Sequence, residues 1–173
     1  MFDKILVVCV GNICRSPTAE FLLKQALPHK TIASAGLHAM VSANVAADTA
    51  GQAPATAPAT ALSLAGHSPK GHGMNAQARE IAEQHGVHCP AHEAQQFTSE
   101  LARKYDLILV MEKRHRDEIG QRFPEALAKT MLFGQWDGQR DIPDPYKKSD
   151  EVFAQIFKLI EHNSMLWAQK LKS

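Results

Sequence analysis

The feature that most constrains this chain is a rhythm of short apolar runs separated by longer stretches of helical pattern. Residues 4–10 (KILVVCV), 31–35, 106–111 (DLILVM) and 130–133 are too short for ordinary helices and mostly apolar at consecutive rather than alternate positions. A strand that is apolar on both sides is buried on both faces, the condition of a parallel sheet covered by helices. The intervening stretches supply the helices. Ser16 is expected to cap the first, with Pro17 at its opening position and a stop near Pro28. Residues 75–85 read as a helix closed by Gly86, Thr98 opens a short one, and residues 112–122 form a charged one. Ser149 caps the last, whose Val152, Phe153, Ile156, Ile160, Leu166, Trp167 and Leu171 mark one apolar face. The expected fold is an α/β three-layer sandwich: a central four-stranded parallel sheet, order 2-1-3-4, with helices on both faces.

At 173 residues the chain is expected to form a single domain spanning 1–173. One stretch departs from the rhythm. Residues 41–66 are rich in Ala, Thr and Pro, carry Asp48 as their only formal charge and show no apolar period, which reads as an inserted flexible loop. Nineteen Lys and Arg against eighteen Asp and Glu give a net charge of +1, so no basic field exists to hold a nucleic acid, and an anionic ligand must be gripped locally. No apolar run reaches the ~20 residues that span a bilayer, and the N-terminus lacks a secretory pattern, so a cytoplasmic protein without direct membrane insertion is expected. Cys9, Cys14 and Cys89 are too few for a disulfide framework and read as free thiols in a reducing compartment. His72, His85, His88 and His92 raise the question of a metal, but no HExxH or Cys-x2-Cys spacing supports one; neither metal nor cofactor is expected.

In open α/β sheets, chemistry gathers in the loops beyond the carboxyl ends of the strands. The loop after the first strand reads Cys9-Val10-Gly11-Asn12-Ile13-Cys14-Arg15-Ser16. Successive amides of a strand-to-helix turn converge on an anion, and the helix N-terminus adds its positive dipole end. Gly11 allows tight curvature, Asn12 tolerates a left-handed backbone, and Arg15 presents a planar fork suited to two phosphate oxygens. Helix N-termini and nearby cations favour thiolate over thiol, so Cys9 reads as a nucleophile aimed at phosphorus, with the Ser16 hydroxyl able to stabilise it as a leaving group. An aryl phosphate also requires a general acid for its leaving oxygen. Asp144, stiffened between Pro143 and Pro145, is the stronger candidate, and Asp141 is the runner-up. Tyr146 reads either as a cleft wall that stacks on a substrate ring or as an ordinary half-buried tyrosine. Cys89 reads as a packed apolar residue.

The segment VCVGNICRSPTAE resembles the signature loop of the low-molecular-weight protein tyrosine phosphatases. The similarity runs from Met1 to the last helix, with 41–66 the one large departure, and includes SAG at 34–36, YDLILVMEKRH at 105–115 and IPDPYKKS at 142–149. The last two are most similar to the bacterial branch that includes phosphatases paired with tyrosine autokinases of capsule and exopolysaccharide export. The resemblance implies Cys9 as nucleophile, Arg15 and residues 10–14 and 16 as the phosphate loop, and Asp144 of the Asp-Pro-Tyr motif as acid and then base. It further implies that Ser34 and His92 join Asn12 in a network supporting the loop, and that Tyr146 walls the cleft. Cys14 either fills the loop interior or, as the resemblance implies, pairs with Cys9 on oxidation. Lys147 stands where some members carry a second aromatic. The implied substrate is a phosphotyrosine protein, in this branch the tyrosine-rich tail of a membrane autokinase, and a monomer is the default. Two other readings compete: a thiol-dependent arsenate reductase, disfavoured because only Cys89 lies where two relay cysteines are needed, and a phosphotyrosine-binding module, which needs neither Cys9 nor Asp144.

Overall fold

The computed structural model describes residues 1–41 and 71–172. Four strands, β1 (Lys4–Cys9), β2 (Thr31–Gly36), β3 (Leu107–Val110) and β4 (Thr130–Leu132), form one sheet in the order β2-β1-β3-β4. Every pairing is parallel, with Ile5 opposite both Ile32 and Leu107 and Val110 opposite Leu132. Order and direction are those expected from the sequence. The described helices are α1 (Arg15–Ala26), α2 (Ala76–Gln84), α3 (Ser99–Arg103), α4 (Lys113–Arg122) and α5 (Asp150–Leu171), with a 3-10 helix at Pro124–Lys129.

Side chains of successive strand residues leave opposite faces, so the consecutive apolar runs divide into two cores. Ile5, Val7, Leu107 and Leu109 pack with Leu23 of α1 and Ile156, Ile160 and Trp167 of α5. Leu6, Val8, Ile108 and Val110 pack with Phe97, Ala102 of α3, Ile119 of α4 and Ala126. A third cluster sets Ala78 and Ile81 of α2 against Phe21 of α1 and Phe153 and Phe157 of α5. The result is three layers, with α1, α2 and α5 on one face and α3, α4 and the 3-10 helix on the other. Among the described residues no helix is long and apolar enough to cross a membrane.

Two local expectations are corrected. Ser16 does not cap α1: Cys14 is the N-cap without a side-chain hydrogen bond, and Ser16 lies inside the first turn because its hydroxyl is engaged with Cys9 and Asn12. Asp106 is not part of β3; its carboxylate accepts the Asp3 and Lys4 amides at 3.0 Å each, tying the start of β1 to the approach of β3. Thr98 and Ser149 cap where expected, accepting the amides of Leu101 and Val152, while Asn75, expected as the first residue of its helix, is the cap of α2 and accepts the Ala78 amide; Gly86 takes φ 78° just past α2. The expected insertion at 41–66 lies, apart from Val41, outside the described residues; Val41 itself pairs with Gly71 in an antiparallel bridge.

From β1 the chain crosses to β2 on one side of the sheet, and only later to β3 on the other. The strand order therefore reverses beside β1, and the crevice outside the carboxyl ends opens at that switch point. Residues 9–15 occupy it.

Candidate active site

The loop between β1 and α1 is held from outside by its own carbonyls. Cys9, Val10 and Gly11 accept the amides of Leu37, His38 and Met40 at 3.0, 3.0 and 2.9 Å. Asn12 O lies 2.7 Å from His92 Nε2, which must be the donor because a carbonyl only accepts. Ile13 O accepts the Asn75 amide at 2.8 Å, and Cys14 O accepts the Thr18 hydroxyl at 2.8 Å and its amide at 3.3 Å. With all six carbonyls satisfied outward, the amides of Gly11, Ile13, Cys14 and Arg15 have no acceptor among the described residues. They run from the end of β1 to the first residue of α1, where unpaired amides and the positive end of a helix favour an anion. Gly36 makes the close support possible: a Cβ there would sit 2.4 Å from Val10 O.

Asn12 adopts φ 58°, in the left-handed region. It is fully buried, and its side chain is saturated: Nδ2 donates to Ser16 Oγ at 2.8 Å and Ser34 Oγ at 2.9 Å, while Oδ1 accepts the Gln95 amide at 2.9 Å. The Ser34 hydroxyl in turn donates to Glu20 Oε2 at 2.5 Å. Because Ser16 Oγ accepts from Asn12, its hydrogen is free for Cys9 Sγ, 3.0 Å away. The Asn12 amide adds a second donor to the sulfur at 3.3 Å. Cys9 is 3% exposed, at the floor of the cleft, and two donors aimed at its sulfur suit an atom that carries negative charge.

Arg15 is 1% exposed. Its Nη1 donates to Glu112 Oε1 at 2.5 Å and Ile142 O at 2.7 Å, and its Nη2 lies 3.6 Å from Asp144 Oδ2. Burial raises the Glu112 carboxyl, but hydrogen bonds from Arg114 and Arg15 outweigh it and hold the group below the usual carboxylate range. Asp144 is partly exposed and accepts the Tyr146 amide at 3.0 Å, which turns its other oxygen toward Arg15. Asp141 is engaged elsewhere, accepting the Lys113 amide at the start of α4. Of the two, only Asp144 lines the cleft beside Arg15.

A cleft of about 190 Å³ opens above the loop, with Asp144 and Tyr146 on one side and His38 and Met40 among its other lining residues. That is smaller than the ~300 Å³ of a drug-sized site and suits the head of one aryl phosphate. Lys147, in the left-handed region at φ 62°, sets its ammonium 5.4 Å from the centre of the Tyr146 ring. Cys14 is 5% exposed, and burial, aided by the charges of Cys9 and Asp144, pushes its thiol up to about 12 against the pull of Arg15. Cys89 packs away from the cleft with Val87 and Ala82. Among the described residues no group of three or more His, Cys, Asp or Glu side chains is arranged to hold a metal ion.

Sequence reasoning missed several participants. Glu20 lies within the segment VCVGNICRSPTAE, and Glu112 directly follows the third apolar run, so position alone offered a signal for both. His38 is exposed but stands at the cleft mouth, 3.0 Å from Glu118. Met40 and Gln95 carried no local signal.

The profile of the low molecular weight phosphotyrosine protein phosphatases matches residues 4–71 and 59–173. The chain belongs to that family. A putative low molecular weight protein-tyrosine-phosphatase of Klebsiella pneumoniae is 46% identical over 173 residues, covering all of both chains. Among solved structures, Vibrio vulnificus Wzb in complex with benzylphosphonate superposes with TM-score 0.81 at 46% identity, over 99% of this chain and 100% of that one. The tyrosine phosphatase Wzb from Escherichia coli K30, in complex with sulphate, superposes with TM-score 0.79 at 43% identity, over 99% of each chain. The protein is therefore a low molecular weight protein-tyrosine phosphatase of Wzb type, as the signature loop implied.

Proposed function

We propose that the phosphatase works through a phosphocysteine on Cys9. The thiolate attacks phosphorus in line with the leaving oxygen, while the loop amides and the Arg15 fork take up the equatorial charge. Asp144 protonates the departing phenolate, whose pKa near ~10 makes it a poor leaving group unprotonated, and then activates water against the phosphocysteine. Ser16 steadies the sulfur as it leaves. Tyr146 and Met40 flank the ring, and with Cys9 at the cleft floor the long aryl phosphate reaches the sulfur where phosphoserine falls short. Protein groups alone carry every step.

The observation that carries this reading is the run of loop amides between Cys9 and Arg15 without an acceptor among the described residues, with Asp144 beside Arg15 in the same cleft. The benzylphosphonate bound by the Vibrio vulnificus relative has the aryl and phosphoryl parts that such a cleft would hold. Within the cell we assign the protein to the cytoplasm, as a monomer acting on the tyrosine-rich tail of a membrane autokinase that controls capsule or exopolysaccharide production. No nucleic acid takes part. Turnover of phosphotyrosine and phosphoserine peptides by wild type, Cys9→Ser and Asp144→Asn tests the chemistry. The reading expects phosphotyrosine preference, no turnover by Cys9→Ser, and an Asp144→Asn defect that shrinks for leaving groups of low pKa. Normal turnover by Cys9→Ser would overturn it. For the partner, a strain lacking the protein should accumulate phosphotyrosine on the kinase; unchanged kinase phosphorylation would remove that assignment.

A further inference from the structure

The turn that follows Asp144 carries a backbone anomaly. Pro145 O accepts the Lys148 amide at 2.9 Å, so residues 145–148 close a turn with Tyr146 and Lys147 at its two central positions. Lys147 takes φ 62° while Tyr146 stays out of the positive range, the pattern of a type II turn. Glycine fills that third position without strain, and asparagine more readily than most side chains; a lysine there holds a conformation it disfavours. Strain of this kind persists only where surrounding structure fixes it, and it gathers at functional sites. Here the Asp144 carboxylate helps to fix the turn by accepting the Tyr146 amide at 3.0 Å.

The strained residue places a charge. Lys147 Nζ lies 5.4 Å from the centre of the Tyr146 ring, within reach of a cation–π contact. Tyr146 lines the catalytic cleft and Lys147 does not. The ammonium therefore stands against the cleft wall but outside the space that an aryl phosphate head fills. A small aryl phosphate leaves it untouched, whereas the chain flanking a phosphotyrosine leaves the cleft over a rim that this ammonium occupies on the Tyr146 side. Its charge is unmatched. The carboxylates near it in sequence are engaged elsewhere: Asp144 faces Arg15, Asp141 accepts the Lys113 amide and Asp150 accepts Gln77 Nε2. Among the described residues Lys147 forms no ion pair, and neither does Lys148 beside it.

We propose that Lys147 is a specificity-determining residue that selects peptides carrying a carboxylate side chain next to the phosphotyrosine. The ammonium, held against the Tyr146 ring, pairs with a glutamate or aspartate of the substrate as the aryl phosphate enters the cleft. This rests on the reading that a phosphotyrosine ring enters the cleft beside Tyr146.

Two phosphotyrosine peptides that differ only in the residues flanking phosphotyrosine, both Glu in one and both Gln in the other, test this beside a small aryl phosphate. Wild type should favour the Glu peptide about threefold in kcat/KM, the scale of one exposed ion pair, through KM rather than kcat. Raising the salt concentration should erode that preference. Lys147→Asn accepts the left-handed backbone without the charge, so it should remove the preference yet turn over the small aryl phosphate within about twofold of wild type. Lys147→Glu should reverse the preference, and Lys148→Asn should keep most of it. Equal kcat/KM for the two peptides in wild type, or a preference that survives in Lys147→Asn, would overturn the proposal. A drop in Lys147→Asn that falls equally on both peptides and the aryl phosphate would overturn it too, as the mark of a turn that matters for folding alone. Wild type that hydrolysed the aryl phosphate but neither peptide would strike the phosphotyrosine reading, and the proposal with it.

Discussion

Arg15 and Glu112, 97 residues apart in the chain, meet at 2.5 Å, with the arginine 1% exposed and the glutamate side chain 12% exposed. A guanidinium this buried keeps its orientation only while its counter-charge is present, since a lone buried cation bears an uncompensated desolvation cost. Glu112→Ala should therefore destabilise the protein by about 3 kcal/mol in urea unfolding and lower kcat/KM more than it lowers affinity for a neutral aromatic ligand. Glu112→Gln retains an acceptor for Arg15 and should fall between. Wild-type stability in Glu112→Ala would show that Ile142 O and Asp144 hold Arg15 without it.

His115, buried in α4, sets a pH dependence, because burial first and then the Arg15 cation hold its ring neutral. Its folded pKa of about 4 lies below the ~6.5 of an unfolded histidine. Between those values the unfolded chain binds a proton that the folded chain refuses, so acid favours unfolding there. Stability from this group is complete above about pH 6.5 and falls as pH drops toward about 4, by up to ~3 kcal/mol. Urea unfolding at intervals from pH 7 to pH 4 should show this slope in wild type and a flatter one in His115→Asn. Equal slopes would mean that the buried imidazole does not resist protonation.

Asn12 combines a left-handed backbone with three side-chain hydrogen bonds. Asn12→Gly should lose the bonds but keep the backbone, at about 3 kcal/mol. Asn12→Ala should lose both, at about 1 kcal/mol more. Phosphate affinity should fall in both, with Ala the weaker, because the orientation of the neighbouring loop amides depends on that backbone turn. Calorimetry and inorganic phosphate inhibition measure the two effects, and equal losses would mean that the turn itself carries no strain.

Much of this molecule is legible from local pattern. Runs such as KILVVCV are strands because they are short and apolar on both sides, and those properties also bury them between two helical layers. Cys9, Asn12, Arg15 and Ser16 were readable because one contiguous loop holds them, and its chemistry follows from spacing. Ser16 was misread as a cap for a physical reason: a serine at a helix start ordinarily bonds the backbone, but Asn12 and Cys9 claim this hydroxyl first. Gln95 and Met40 were illegible as site residues because their partners are set by tertiary contact, through the segment before α3 and the exit of β2. Asp144 was already preferred to Asp141 in the sequence, and the structure adds that Asp141 is occupied by the Lys113 amide.

The central claim is that Cys9 becomes phosphorylated. Asp144→Asn should slow hydrolysis of the intermediate, so rapid acid quench of this variant with an aryl phosphate, followed by intact-mass analysis and fragmentation, is the most direct measurement. The account predicts a gain of one phosphoryl group, mapped to Cys9 and absent from the Cys9→Ser, Asp144→Asn double variant. Turnover with no phosphoryl group on Cys9 at any quench time, or with the label on another residue, would contradict it.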